Sequence, residues 1–199
     1  GSVIAANQLE QCYRNADIPD TEQNMTEGME AYQQAGELTD LSDGAVKYLL
    51  DNRLLPTINN LYLAEFSGST AMMRTDPQID FDSLRTQMEQ VITAAGYSVD
   101  ENTMHDAEWM IANEIPFTAD NFSYMQKLNG LQLPADGEAV AEAIATVVTE
   151  GARPADAMLL PEYTITAQAD HVIDVLAEAT DEDIASLVKD GLELTAENL

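Results

Sequence analysis

Ile115-Pro-Phe-Thr118-Ala-Asp-Asn121-Phe122 is one of four stretches that share a rule: apolar, two residues, Thr, two residues, Asn, apolar. The others are Ile18-Pro-Asp-Thr21-Glu-Gln-Asn24-Met25, Leu54-Leu-Pro-Thr57-Ile-Asn-Asn60-Leu61 and Leu192-Glu-Leu-Thr195-Ala-Glu-Asn198-Leu199. A threonine before an apolar-periodic run is a helix N-cap, because its hydroxyl accepts an orphan N–H of the first turn. Asn at the third helical position stands where a capping box has Glu or Gln, though it is shorter. The apolar residue after it is placed to close a hydrophobic staple, with Phe117 and Phe122 the best pair. Proline in three of the connections stops the preceding helix.

The resemblance reaches upstream. Eight positions before the threonines lie Tyr13, Leu49, Met110 and Leu187. Fifteen positions before them lie Ala6, Ser42, Thr103 and Thr180, the last three being expected helix caps. Each unit therefore reads as an αα-hairpin: a short capped helix, a tight connection, and a second helix begun by Thr. The threonines are unevenly spaced, so the units form a degenerate set with extra helices between them, not a strict solenoid.

Around these units the apolar period is helical nearly throughout. Helices are predicted over Val3 to Arg14, through Met25, Met29 and Tyr32 to a C′ glycine at Gly36, and over Ser42 to Asn52 and Thr57 to Phe66. Further helices are predicted over 81–95, 103–113, 118–129, 137–150, 166–179 and 181–189, several ending at a glycine. Tyr163 to Thr166 alternates briefly, enough for a small ribbon at most. The stretches 67–80 and 153–161 are the best candidates for linkers or functional loops. The expected fold is all-α, with degenerate helical hairpins stacked as a bundle or a short irregular solenoid. Gly1-Ser2 reads as a tag scar, followed by hairpins over 3–69, a loop or linker over 70–80, and hairpins over 81–199. The sequence stops one residue after Asn198, as expected of a piece of a longer protein.

Bulk chemistry narrows the function. The 199 residues carry 36 acidic and 8 basic side chains, a formal charge of −28, with 45% hydrophobic residues. That apolar fraction sets the chain apart from an acidic disordered tail. Eight scattered cations cannot form the basic stripe that nucleic acid requires. One cysteine, Cys12, rules out an intrachain disulfide framework. No apolar run is long enough to span a bilayer. The charge admits three readings: a solvated acidic surface, steering toward a basic protein partner, or adaptation to salt and cations.

Catalytic signatures are sparse. There is no Gly-rich phosphate loop and no nucleophile elbow. His105, with Glu101 and Glu108 at helical distance, could supply half of a carboxylate metal site, but a di-iron bundle needs a second Glu-x-x-His that His171 does not supply, so a surface or partly buried structural histidine is the favoured reading of each and no metal is expected. Asp76 to Asp82 and 181–183 do not fit a calcium loop. No cofactor is expected. Trp109 and the nine methionines are read as core before groove.

The segments Leu55 to Tyr62 and Ile115 to Phe122 resemble ones in a family of unknown function, found in large acidic helical proteins of gut clostridia, some in flagellar gene neighbourhoods. The first copy departs from that pattern with Asp20 before its threonine, and the last lacks proline. The resemblance implies a bacterial motility or envelope context and brings no catalytic residues. The expected function is a non-catalytic protein-interaction or scaffold region of a larger protein. The alternatives are an acidic module that responds to calcium or salt, and a flagellar or secretion-associated structural protein.

Overall fold

The computed structural model describes residues 2–68 and 79–163. Two units divide the backbone, Gly1–Leu159 and Leu160–Leu199. In the second, the described part contains a 3-10 turn at Pro161–Tyr163. The predicted helices at 166–179 and 181–189 and the copy holding Thr195 and Asn198 lie outside the described residues, as do Thr180, His171 and most of the 163–166 stretch.

In the first unit the described elements are helical. They are α1 (Ser2–Asn15), α2 (Glu22–Glu37), α3 (Asp43–Asp51), α4 (Ile58–Leu63), α5 (Phe81–Ala94), α6 (Glu101–Ala112), α7 (Ala119–Asn129) and α8 (Gly137–Thr149). A π-helical turn, Ala64–Gly68, continues α4, and a 3-10 turn, Pro154–Asp156, follows α8. Helix α8 returns to pack on α1 and α2. Leu9 and Tyr13 of α1, Ala31 and Ala35 of α2, and Val140 and Ile144 of α8 share one buried cluster. Helix α2 comes very close to α1 at Gly28, where a Cβ would stand 2.5 Å from the Tyr13 hydroxyl and 2.7 Å from a Leu9 methyl. Helix α7 packs on α3 and α5, and α5 on α6, with Leu49, Ile92, Met110, Phe122 and Met125 buried on these helices.

The structure departs from the sequence expectations at several points. Gly36 lies inside α2, which runs to Glu37 and ends at Leu38 with an extended φ of −77°. Gly130 caps α7 in a right-handed conformation, with φ −83°. By contrast, Gly96 and Gly151 take the left-handed φ of 84° that glycine permits. Thr103 is not an N-cap. Asp100 caps α6, and Thr103 completes a capping box from inside the helix. Residues 153–159 are not a loose linker. Pro154 and Ala157 are buried, and the strand-like stretch 157–159 pairs with the turn before α4. There the Ile58 N–H donates to the Ala157 carbonyl at 2.9 Å, and the Leu159 N–H to the Pro56 carbonyl at 3.1 Å. Of the expected break at 70–80, residues 70–78 lie outside the described set. Helix α8, which follows it, nevertheless shares a core with α1 and α2, which precede it.

Candidate functional site

Thr21, Thr57 and Thr118 are the N-caps of α2, α4 and α7. In each, the hydroxyl accepts the N–H of the asparagine three residues on, at 3.2, 3.1 and 3.2 Å. The asparagine does not reach back to the cap's own N–H, as a capping box would. That N–H already donates to the carbonyl two residues earlier, at 2.9, 2.8 and 3.1 Å. The amide nitrogens of Asn24, Asn60 and Asn121 donate to those same carbonyls, of Pro19, Leu55 and Pro116, at 2.8, 2.9 and 2.8 Å. Asparagine suits this position because its short amide supplies a donor where the tight turn leaves an acceptor beneath it.

The preceding helices end alike. Four residues before the threonines, Asp17, Arg53 and Glu114 adopt φ of 54°, 51° and 59°. The next N–H, of Ile18, Leu54 and Ile115, then bonds the carbonyl of Tyr13, Leu49 and Met110 at 2.9, 3.0 and 3.0 Å. That is the six-to-one bond of a Schellman ending, built here on non-glycine residues. Phe117 packs edge-on against Phe122 with centroids 5.8 Å apart, the staple across the third turn.

A further turn between α5 and α6 keeps this plan with other letters. Ile92 holds the place of Leu49, Gly96 that of Arg53, Asp100 that of Thr57 and Thr103 that of Asn60. The Tyr97 N–H bonds the Ile92 carbonyl at 3.1 Å, and the Thr103 hydroxyl donates to the Ser98 carbonyl at 2.9 Å. Backbone donation from Thr103, foremost, and from Asn102 holds the Asp100 carboxyl below its ordinary pKa. A rule written in threonine and asparagine passes over this turn. The signal that finds it is a glycine four residues before an Asp cap.

These hydroxyls and amides are consumed within their own turns, so they act as struts. Thr57 is enclosed, with 7% of its surface exposed, because residues 157–159 lie along it, whereas Thr21 and Thr118 are exposed.

The reactive side chains do not assemble a centre. Glu101, His105 and Glu108 line an open groove on α6 that also contains Arg85. Glu101 and His105 are exposed, and among the described residues no three His, Cys, Asp or Glu groups gather closely enough to hold a metal ion. Helical spacing puts these three on one face, but among the described residues no second element brings a ligand to them. Cys12 is partly buried, and burial, followed by Glu142 and Glu138, raises its thiol pKa, which disfavours the nucleophilic thiolate. Met88, Met104, Met110 and Met125 are core. Trp109 has an enclosed indole N–H with no hydrogen-bond partner among the described residues.

No helix among the described residues is long and apolar enough to cross a membrane. No curated protein and no solved structure matches the chain. A family model does match, over residues 2–199. The chain thus belongs to a family of unknown function, DUF6240.

Proposed function

We propose that this chain is a non-catalytic scaffold built from helical hairpins, whose acidic surface recruits a basic protein partner. The supporting observation is how the cations are used. Arg14 pairs with Glu10, Lys47 with Asp51 at 2.7 Å, Arg85 with Asp82 at 3.9 Å and Arg153 with Asp156 at 2.9 Å. Each pair is local, three or four residues apart, so these cations neutralise carboxylates of their own segment. With a formal charge of −28, a large surplus of carboxylates is left to set the outer field. Such a field accelerates encounter with a positively charged surface and weakens as salt screens it. The resemblance noted in the sequence extends this reading to a motility or secretion structure.

The test is titration with basic proteins and lysine-rich peptides at low and high salt. Saturable binding that weakens steeply with salt supports the proposal; binding indifferent to salt, or none, refutes it. The ion-responsive alternative rests on the same charge surplus. With no three-ligand group among the described residues, it predicts diffuse screening, so calcium and an equal ionic strength of sodium should stabilise the fold alike.

A further inference from the structure

The π turn after α4 does something the buried core does not require. The inner face of α4 is completed by Ile58, Leu61 and Ala64, each with no exposed surface. The wide π turn then fixes the next residues by two inward anchors. The Glu65 carboxylate turns to the start of α3 and accepts the Ser42 N–H at 2.8 Å and the Ser42 hydroxyl at 3.0 Å. Gly68 abuts the Tyr48 ring, where a Cβ would lie 2.6 Å from the ring carbon. Between these anchors Phe66 is held outward, 54% exposed, with its ring 4.6 Å from that of Tyr62. Leu63 beside it is 43% exposed. The result is an apolar surface group on a fixed backbone.

Its polar border is anionic. The Tyr62 hydroxyl donates to the Glu37 carboxylate at 3.0 Å, and the Gln33 amide donates to the same group at 2.9 Å. Glu37 is the last residue of α2, where the helix dipole already leaves negative partial charge. The last turn of α2 carries no basic residue, and neither does that of α4 or of the π turn. A carboxylate at a helix C-terminus, beside the exposed Phe66 ring and the half-buried Tyr62 ring, lacks among the described residues what would complement it: a guanidinium or ammonium, which the ring faces also attract.

We propose that Tyr62, Leu63, Phe66 and Glu37 form a docking surface for a basic amphipathic helix of another protein, its apolar side chains over Leu63 and Phe66 and a Lys or Arg against Glu37. This rests on the acidic-scaffold reading and names its contact point. A fixed backbone and a tilted ring pair in contact reduce the ordering cost of binding, which suits Phe66 to an anchoring role.

The test uses two fluorescent 18-residue peptides of equal positive charge, one a Leu/Lys amphipathic helix and the other Gln/Lys without an apolar face. Anisotropy at physiological salt should show the Leu/Lys peptide binding one-to-one, at least about tenfold tighter than the other. Leu63→Ser with Phe66→Ser should abolish that advantage while leaving Gln/Lys binding unchanged. Glu37→Gln should weaken Leu/Lys binding several-fold. Amide shift changes in the unsubstituted protein should centre on residues 58–68, a readout that does not depend on the variants folding. Leu/Lys binding that is tight but indifferent to these substitutions, or shifts centred elsewhere, overturns the docking surface and leaves the scaffold reading standing. Failure of both peptides to bind refutes both. Self-association of the free protein that the double substitution abolishes would assign the surface to a second copy and overturn the proposal.

Discussion

Replacing the capping threonines one at a time should separate a buried cap from an exposed one. In Thr21→Ala and Thr118→Ala the abandoned N–H, of Asn24 or Asn121, faces water, so the loss should be about 1 kcal/mol. Thr57 is buried and its bond to the Asn60 N–H is partly enclosed, so Thr57→Ala should cost about 2 kcal/mol, the top of the usual range. Part of that comes from the buried γ-methyl, worth about 0.8 kcal/mol. Thr57→Val keeps the shape and removes only the acceptor, and Thr57→Ser keeps the acceptor and removes only the methyl. The Val variant should account for more than half of the Ala loss. For a unit of this size, 1 kcal/mol moves the midpoint by about 2–4 °C, so differential scanning calorimetry or urea unfolding followed by helical circular dichroism resolves the three sites. If Thr57→Ala costs no more than Thr21→Ala, or Thr57→Val is neutral, the strut role assigned to the hydroxyl is wrong.

Two glycines should respond in opposite directions. Gly36→Ala, in an exposed helical position with open space around it, should stabilise by about 0.5–1 kcal/mol, whereas Gly96→Ala, at φ 84°, should destabilise by about 1 kcal/mol in the same unfolding assay. Gly28→Ala should destabilise by about 1–2 kcal/mol in thermal melts, since contact with Tyr13 and Leu9 outweighs the gain in helix propensity. The Asp100 carboxyl titrates below its ordinary 3.8 in the folded state, so its contribution is full above that value and vanishes as pH falls through the lowered one. Melting of the protein and of Asp100→Asn between pH 6 and pH 2 should therefore show a gap that changes only below about pH 4; a constant gap would contradict the cap's charge role.

What the sequence disclosed was local, because a cap is local chemistry. Thr21, Thr57 and Thr118 stand where a short-range pattern places them, since the hydroxyl and the N–H it binds are three residues apart. The positive φ of Asp17, Arg53 and Glu114 could not be read, because none is a glycine; the fold imposes that conformation through the flanking buried residues. Gly36 misled for the converse reason, a glycine that the packing of α2 carries straight through. The pairing of residues 157–159 with the turn at Thr57, and the link from Glu65 to Ser42, join distant segments that no period relates. Glu101, His105 and Glu108 show the limit of face arguments: a shared helical face is necessary for a ligand set, but a second element must complete it.

The return of α8 to α1 has a consequence for biosynthesis. Leu9 and Tyr13 leave the ribosome well over a hundred residues ahead of Val140 and Ile144, which complete the cover that Ala31 and Ala35 begin. At about 5–20 residues per second, the apolar stripe of α1 waits on the order of ten seconds for its partner. Contacts so distant along the chain also slow the final closure of the core. During that interval the carboxylates have a task unrelated to any partner: mutual repulsion between nascent chains keeps the uncovered stripes of neighbouring polypeptides from meeting.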